Sequence, residues 1–290
     1  LVFWITLRWI NTKSDKYLLL LGLAAGFGLL NKYLVALEIV AILVALLISP
    51  YRSLFTRSAF YMSILIAIVI FLPNLIWQVK NQFPVLVHMK ALNNTQLVHV
   101  NRLSFFTDQL FMGSVAIFLF VPGIIFMLLG RSLKPYRPLI IASFIVLFVL
   151  AFLRGKSYYT LGLFPLWIAA GGVLWENILK RTFVKILLPV LILLLSIPIL
   201  PMGIPVYKAD KLAGFFAGAK DKAGFDMALR WEDGRIHSLP QDYADMLGWD
   251  ELAAITAKAY NQVTDKKASI IYAENYGQAG AIMVIGKKYN

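Results

Sequence analysis

The chain has 290 residues, 60% of them hydrophobic and only 15% charged, with a mean hydropathy of +0.73. A water-soluble domain of that balance lacks the polar surface to cover itself, so the composition points to an integral membrane protein. The absence of cysteine excludes disulfides, thiolate catalysis and cysteine-based zinc sites. The formal charge of +13 has to be located before it is read as a signal for nucleic acid.

The chain opens in mid-hydrophobic run. Leu1 to Ile10 has no initiator Met, basic n-region or small-residue cleavage site before it, so it reads as the tail of a membrane helix in a fragment lacking its N-terminal part. Seven apolar segments follow, at about 17–31, 33–49, 59–76, 110–130, 138–153, 158–175 and 183–201. Several fall short of the roughly 20 residues that span hydrocarbon, so their flanks are expected to extend them. Lipid offers an open strand no hydrogen-bonding partner, which makes these segments helices. The expected organisation is a transmembrane helix bundle over 1–205 and a soluble tail over 206–290.

Charge supports that division. From Val206 onward there are 11 Lys and Arg against 11 Asp and Glu, whereas 17 basic and 4 acidic residues precede it. The whole excess sits among the helices, where it signals topology and suits anionic lipid, so nucleic acid is not expected as a partner. If the helices alternate, one side collects Arg8, Lys13, Lys16, Arg52, Arg57, Arg131, Lys134, Arg137, Lys180, Arg181 and Lys185. The other holds Lys32, Lys80, Lys90, Arg102, Arg154 and Lys156. Eleven against six places the first set in the cytoplasm, with the Trp77 to Asp108 connection and the tail outside.

In the tail, Tyr243, Met246, Leu247, Leu252, Ile255 and Ala259 carry helical spacing and predict a helix over 242–263. Ala268 to Ala273 reads as a short apolar strand and Glu274 to Ile285 as the helix after it. The expectation is a small extracytoplasmic α/β domain, itself incomplete. Gly277, Gly280 and Gly286 match neither a dinucleotide fingerprint nor a Walker loop.

Chemistry is sought among polar groups at the ends of apolar helices, because burial near lipid is costly unless such groups have a partner or a task. On the external side these are Asn31, Lys32, Tyr33 and Glu38, then Trp77, Gln78, Lys80, His88, Arg102 and Asp108, then Arg154, Lys156, Tyr158 and Tyr159. Lys32 occupies a very short connection, where its ammonium either snorkels to headgroups or serves a site. Glu38 either pairs with Lys32 to staple the turn or acts in the chemistry. Arg154, Lys156, Tyr158 and Tyr159 put two cations and two phenols at one mouth, enough to hold a phosphate, although an aromatic belt with flanking basic residues has the same composition. The Phe83 to His88 stretch is apolar and outside the core, as an interfacial segment would be. His88 and His99 lack metal-site spacing and carboxylate company, so no metal site is expected, and Asp108 stands where a helix cap is commoner than a base.

Three runs carry a resemblance: Gly22-Leu-Ala-Ala-Gly-Phe-Gly-Leu-Leu-Asn-Lys32-Tyr33; Leu72-Pro-Asn-Leu-Ile-Trp77-Gln leading to Phe83-Pro84; and Lys156-Ser-Tyr158-Tyr159 followed by Phe164-Pro165-Leu-Trp. Together they resemble the polytopic glycosyltransferases of the protein mannosyltransferase and aminoarabinose transferase superfamily. The tail is similar to one bacterial branch through Gly248-Trp249-Asp-Glu-Leu and Glu274-Asn275-Tyr276-Gly277-Gln-Ala-Gly280-Ala. The resemblance implies a mainly α GT-C fold in the bacterial inner membrane. It would move a sugar from a polyprenyl-phosphate-linked donor to an acceptor glycan, lipid or protein on the outer side; no cofactor is expected, and dependence on a divalent metal is left open. It implies donor-phosphate contacts from Lys32 and Lys156, assisted by Tyr158, Tyr159 and Arg154, with Tyr33, Glu38, Trp77 and His88 as further site candidates. The carboxylate base of the superfamily is expected upstream of Leu1, and Asn31 stands where relatives commonly carry Thr. A transporter or flippase and a non-catalytic membrane scaffold are the competing readings.

Overall fold

The computed structural model describes residues 1–224 and 226–289, which fall into two compact units, Leu1–Ile199 and Leu200–Asn290. The helices of the first unit are α1 (Val2–Thr12), α2 (Asp15–Asn31), α3 (Val35–Leu47), α4 (Ser58–Lys80), α5 (Pro84–Thr95), α6 (Arg102–Gly113), α7 (Ile117–Leu129), α8 (Arg137–Phe152), α9 (Phe164–Ile178) and α10 (Thr182–Ser196). Five stretches are long and apolar enough to cross a membrane: Ser58–Lys80, Arg102–Leu129, Lys134–Phe152, Ser157–Ile178 and Thr182–Gly203. This is the mainly α, polytopic bundle that the hydropathy predicts. The expected spans at 17–31 and 33–49 are helices of 17 and 13 residues. At 1.5 Å per residue α3 reaches only about 20 Å, short of a hydrocarbon core of about 30 Å.

Close backbone contact organises the bundle. The most extensive pairings are α2 with α4, α7 with α9 and α3 with α8. A Cβ placed on Gly22 would lie 2.3 Å from the Ser63 carbonyl oxygen, and one on Gly26 would lie 2.8 Å from the Ile70 side chain. Across α7 and α9, a Cβ on Gly123 would lie 2.0 Å from the Trp167 oxygen, and one on Gly171 would lie 2.0 Å from the Leu119 oxygen. Lipid gives helices no hydrophobic reason to associate, so small residues that let backbones approach supply the contact. The buried Trp167 adds a polar tie, its Nε1 donating to Ser143 Oγ at 3.0 Å.

Helices α2 and α4 run parallel. Arg57 joins Asp15 at 2.6 Å where both begin, and Tyr33 joins Asn74 at 2.7 Å beyond the end of α2. Helix α3 returns in the opposite sense. The stretch Arg102–Leu129 is interrupted at Ser114, whose φ of 47° and ψ of −133° break the helical path between α6 and α7. Helix α6 begins at Arg102 because Asn101 caps it, its side chain accepting from the backbone N–H groups of Leu103 at 2.8 Å and Ser104 at 3.3 Å. Asp108 is therefore a mid-helix residue, correcting its expected place before a helix.

The second unit contains α11 (Leu200–Gly203), α12 (Ala209–Ala223), α13 (Gln241–Ala244), α14 (Trp249–Asn261) and α15 (Tyr276–Val284). Leu212, Phe216, Leu229 and Tyr243 form its core. The helix expected over 242–263 is split, with Gly248 at φ 81° immediately before α14. The expected α/β character is corrected too: among the described residues there is no sheet, only an isolated bridge between Arg230 and Ile236. The apolar run from Ala268 to Ala273 leaves Ile270 92% exposed. A strand exists through the partner that receives its backbone hydrogen bonds, and no described segment pairs with this one.

Candidate functional site

Two helix ends deliver the polar residues. Helix α8 finishes in a Schellman motif: Gly155 N donates to Leu150 O at 2.7 Å and Arg154 N to Ala151 O at 3.3 Å, with Arg154 at φ 55°. Helix α4 closes in the same way, Phe83 N donating to Gln78 O at 2.7 Å and Gln82 N to Val79 O at 3.2 Å, with Gln82 at φ 59° and Phe83 at φ 55°. Glycine normally takes the left-handed position, and a residue with a Cβ there gives up about 1 kcal/mol. Arg154 holds it at the entrance to a 3-10 helix, Ser157–Leu163.

That 3-10 helix brings its aromatic pair to Lys32. The Lys32 Nζ lies 4.2 Å from the ring centroid of Tyr159 and 5.4 Å from that of Tyr158, and the two rings meet edge to face at 4.7 Å. Lys32 is fixed from its own side as the cap of α2, its N–H donating to Gly28 O at 2.8 Å, three residues before α3 begins. The ring faces attract the ammonium without neutralising it. Among the described residues Lys32 forms no ion pair, and the expected staple to Glu38 is not made. Its charge is thus held in place by neutral groups and left uncompensated by a carboxylate.

Tyr33 secures the turn. Its hydroxyl donates to Asn74 Oδ1 at 2.7 Å and accepts from Gln78 Nε2 at 2.7 Å, while Gln78 Oε1 accepts from the Val85 N–H at 3.4 Å. The loop beyond α2, the end of α4 and the start of α5 are tied by one network. On the far side, Ser157 Oγ donates to Asp108 Oδ2, and Thr160 Oγ1 donates to both Gln109 Oε1 and, at 2.8 Å, Ser157 O. Arg102 caps α8 through Phe152 O at 3.1 Å, and Arg154 Nη1 donates to Val98 O at 3.3 Å. At the opposite end of the bundle Lys13 Nζ sits 3.7 Å from the Tyr51 ring centroid; burial, then the neighbouring Arg57 charge, lower its pKa.

The structure therefore brings together Lys32, Tyr158 and Tyr159, with Lys156 and Arg154 on the same short segment as the tyrosines. Trp77 is 52% exposed near the end of α4, His88 is exposed on α5, and Glu38 is half-buried in α3. None of these three side chains makes a hydrogen bond or ion pair among the described residues. No group of three or more His, Asp or Glu suited to a metal ion occurs among the described residues. Asn74, Gln109 and Thr160 escaped the sequence reading. For Asn74 the signal was its helical spacing from Gln78 inside the apolar run of α4, and for Gln109 a second polar residue beside Asp108 in α6.

No curated protein and no solved structure matches the chain. Residues 1–77, which hold α1 to α3 and most of α4 with Lys32, Tyr33 and Asn74, match the family described as dolichyl-phosphate-mannose-protein mannosyltransferase, in agreement with the resemblance carried by Gly22 to Tyr33 and Leu72 to Trp77.

Proposed function

We propose that this chain is the donor-phosphate-binding part of an integral membrane glycosyltransferase of the GT-C type. It takes a sugar from a polyprenyl-phosphate-linked donor and gives it to an acceptor glycan, lipid or protein on the outer side of a bacterial inner membrane, where the second unit also lies. The observation that carries this reading is the uncompensated Lys32 ammonium over the Tyr159 and Tyr158 rings. As the glycosidic bond breaks, its electron pair stays with the departing phosphate oxygen, and negative charge grows there. Fixed cations and phenolic donors in a poorly hydrated place stabilise such charge most effectively. Lys32 and Lys156 supply the principal cations, Arg154 a further one, and Tyr158 and Tyr159 the hydroxyls. Lipid linkage of the donor accounts for a site at the mouth of membrane helices. Trp77, Glu38 and His88 are assigned to the surroundings of the sugar and acceptor. The base that deprotonates the acceptor is assigned to no residue of this chain.

The test is sugar transfer by the full-length protein in membranes, supplied with polyprenyl-phosphate-linked sugar. Lys32→Ala and Lys156→Ala should each lower the rate at least about tenfold, the scale expected for loss of one charge-assisted contact in the transition state. Wild-type rates in both variants overturn the assignment. Substrate counterflow in proteoliposomes without transfer would establish a transporter instead.

A further inference from the structure

We propose that Asp108 and Gln109, adjacent on α6, form a clamp that positions the Ser157–Leu163 3-10 helix and so sets Tyr158 and Tyr159 against Lys32. The clamp has three contacts on two residues of that short element, Ser157 and Thr160. Asp108 Oδ2 accepts from Ser157 Oγ; Gln109 Oε1 accepts from Thr160 Oγ1; and Gln109 Nε2 donates to Ser157 O at 3.4 Å and to Phe105 O within α6 at 3.0 Å. Gln109 is 6% exposed and Thr160 fully buried. A 3-10 helix of this length holds poorly by itself, because its hydrogen bonds are strained beyond three or four residues. External partners at its first and fourth residues fix its rotation, and the two tyrosines stand between them.

A second feature marks Asp108 as more than a local tie. Its other oxygen, Oδ1, is buried without a hydrogen-bond partner among the described residues. An unsatisfied carboxylate oxygen in such a place is costly and persists where something else is gained. Here the gain is the register of the aromatic pair. Asp108 acts through Ser157 and needs no contact with the donor, which makes it a positioning residue.

This inference rests on the reading of Lys32 and the tyrosines as the phosphate site, and the experiment separates the two. Full-length protein in nanodiscs is measured for binding of undecaprenyl phosphate and, independently, for amide hydrogen exchange over 157–163. Asp108→Asn keeps the acceptor oxygen and the shape, so binding and exchange should stay within about threefold of wild type. Asp108→Ala removes the acceptor, and Ser157→Ala removes the donor from the other side. Each should weaken binding about tenfold and speed exchange over 157–163, and the double variant should be no worse than either single one, as for one shared contact. Gln109→Leu should speed exchange over the same residues. Exchange at 157–163 unchanged in Asp108→Ala and Ser157→Ala overturns the clamp, as does an Asp108→Asn variant as defective as Asp108→Ala, since charge rather than position would then be required. A wild type that binds no undecaprenyl phosphate, yet shows the predicted exchange pattern, overturns the phosphate site and leaves the clamp standing.

Discussion

Tyr159 separates two physical contributions that the site combines. Its ring face holds the Lys32 ammonium at 4.2 Å, and its hydroxyl is a potential donor to phosphate. Tyr159→Phe keeps the face, whereas Tyr159→Ala loses both, at a cost of roughly 1 kcal/mol or more for the cation–ring attraction alone. The expected order of undecaprenyl phosphate affinity is wild type above Tyr159→Phe above Tyr159→Ala, measured by titration in nanodiscs. Equal affinities would show that the ring does not hold the lysine in a working position. Lys32 and the tyrosines were legible in the sequence because charge at a short turn and phenols at a helix mouth are unusual near lipid. Their mutual approach was not, since 126 residues separate Lys32 from Tyr158 and no local pattern encodes that distance. Asp108 illustrates the converse error. Its place in the fold depends on where α6 starts, and the capping Asn101 sets that start at Arg102, six residues before Asp108.

Among the elements, the α2–α4 pairing leaves no room for a side chain at its closest approach. A leucine at Gly22 must displace the Ser63 backbone, because the Cβ alone would come within 2.7 Å of the Ser63 Cα. Overpacking of that kind costs about 3 kcal/mol, so Gly22→Leu should lower the thermal transition of the solubilised protein markedly, and Gly172→Leu, whose Cβ meets nothing within 4 Å, should not. In the second unit, α14 carries Asp250, which the Lys288 ammonium at 2.8 Å and the Tyr289 hydroxyl at 2.6 Å hold below the usual carboxylate range. The same carboxylate raises Lys288 above its ordinary value. A depressed acid stabilises the folded form above its unfolded pKa and loses that as pH falls through the lowered value. A raised lysine stabilises it below its unfolded pKa and loses that as pH rises through the raised value. The contact should therefore persist through neutral pH and release at both extremes, and in a titration of the Lys288 side-chain resonances Asp250→Asn should abolish the acid limb and move the alkaline limb to lower pH. Apolar helices were legible here because their period and length suffice to define them. The strand at Ala268 was misread because composition supplies β-propensity but not a neighbouring strand.

For the whole molecule, the basic residues predict which end of the bundle faces the cytoplasm, and the chain offers a clean way to test it because it contains no cysteine. Ser53→Cys and Asn93→Cys place single thiols on exposed positions at opposite ends. A membrane-impermeant maleimide should label Asn93→Cys in intact cells and Ser53→Cys only after permeabilisation; the reverse pattern would invert the proposed sidedness. One end of the bundle sets Lys13 over the Tyr51 ring, and the other sets Lys32 over the tyrosine pair. The most direct test of that second end is photocrosslinking of the full-length protein with a polyprenyl phosphate carrying its reactive group next to the phosphate. Mass spectrometry should place the adducts within 31–33 and 156–159, and Lys32→Ala should reduce both. Adducts spread along the lipid-facing helix α10, indifferent to Lys32→Ala, would contradict the account.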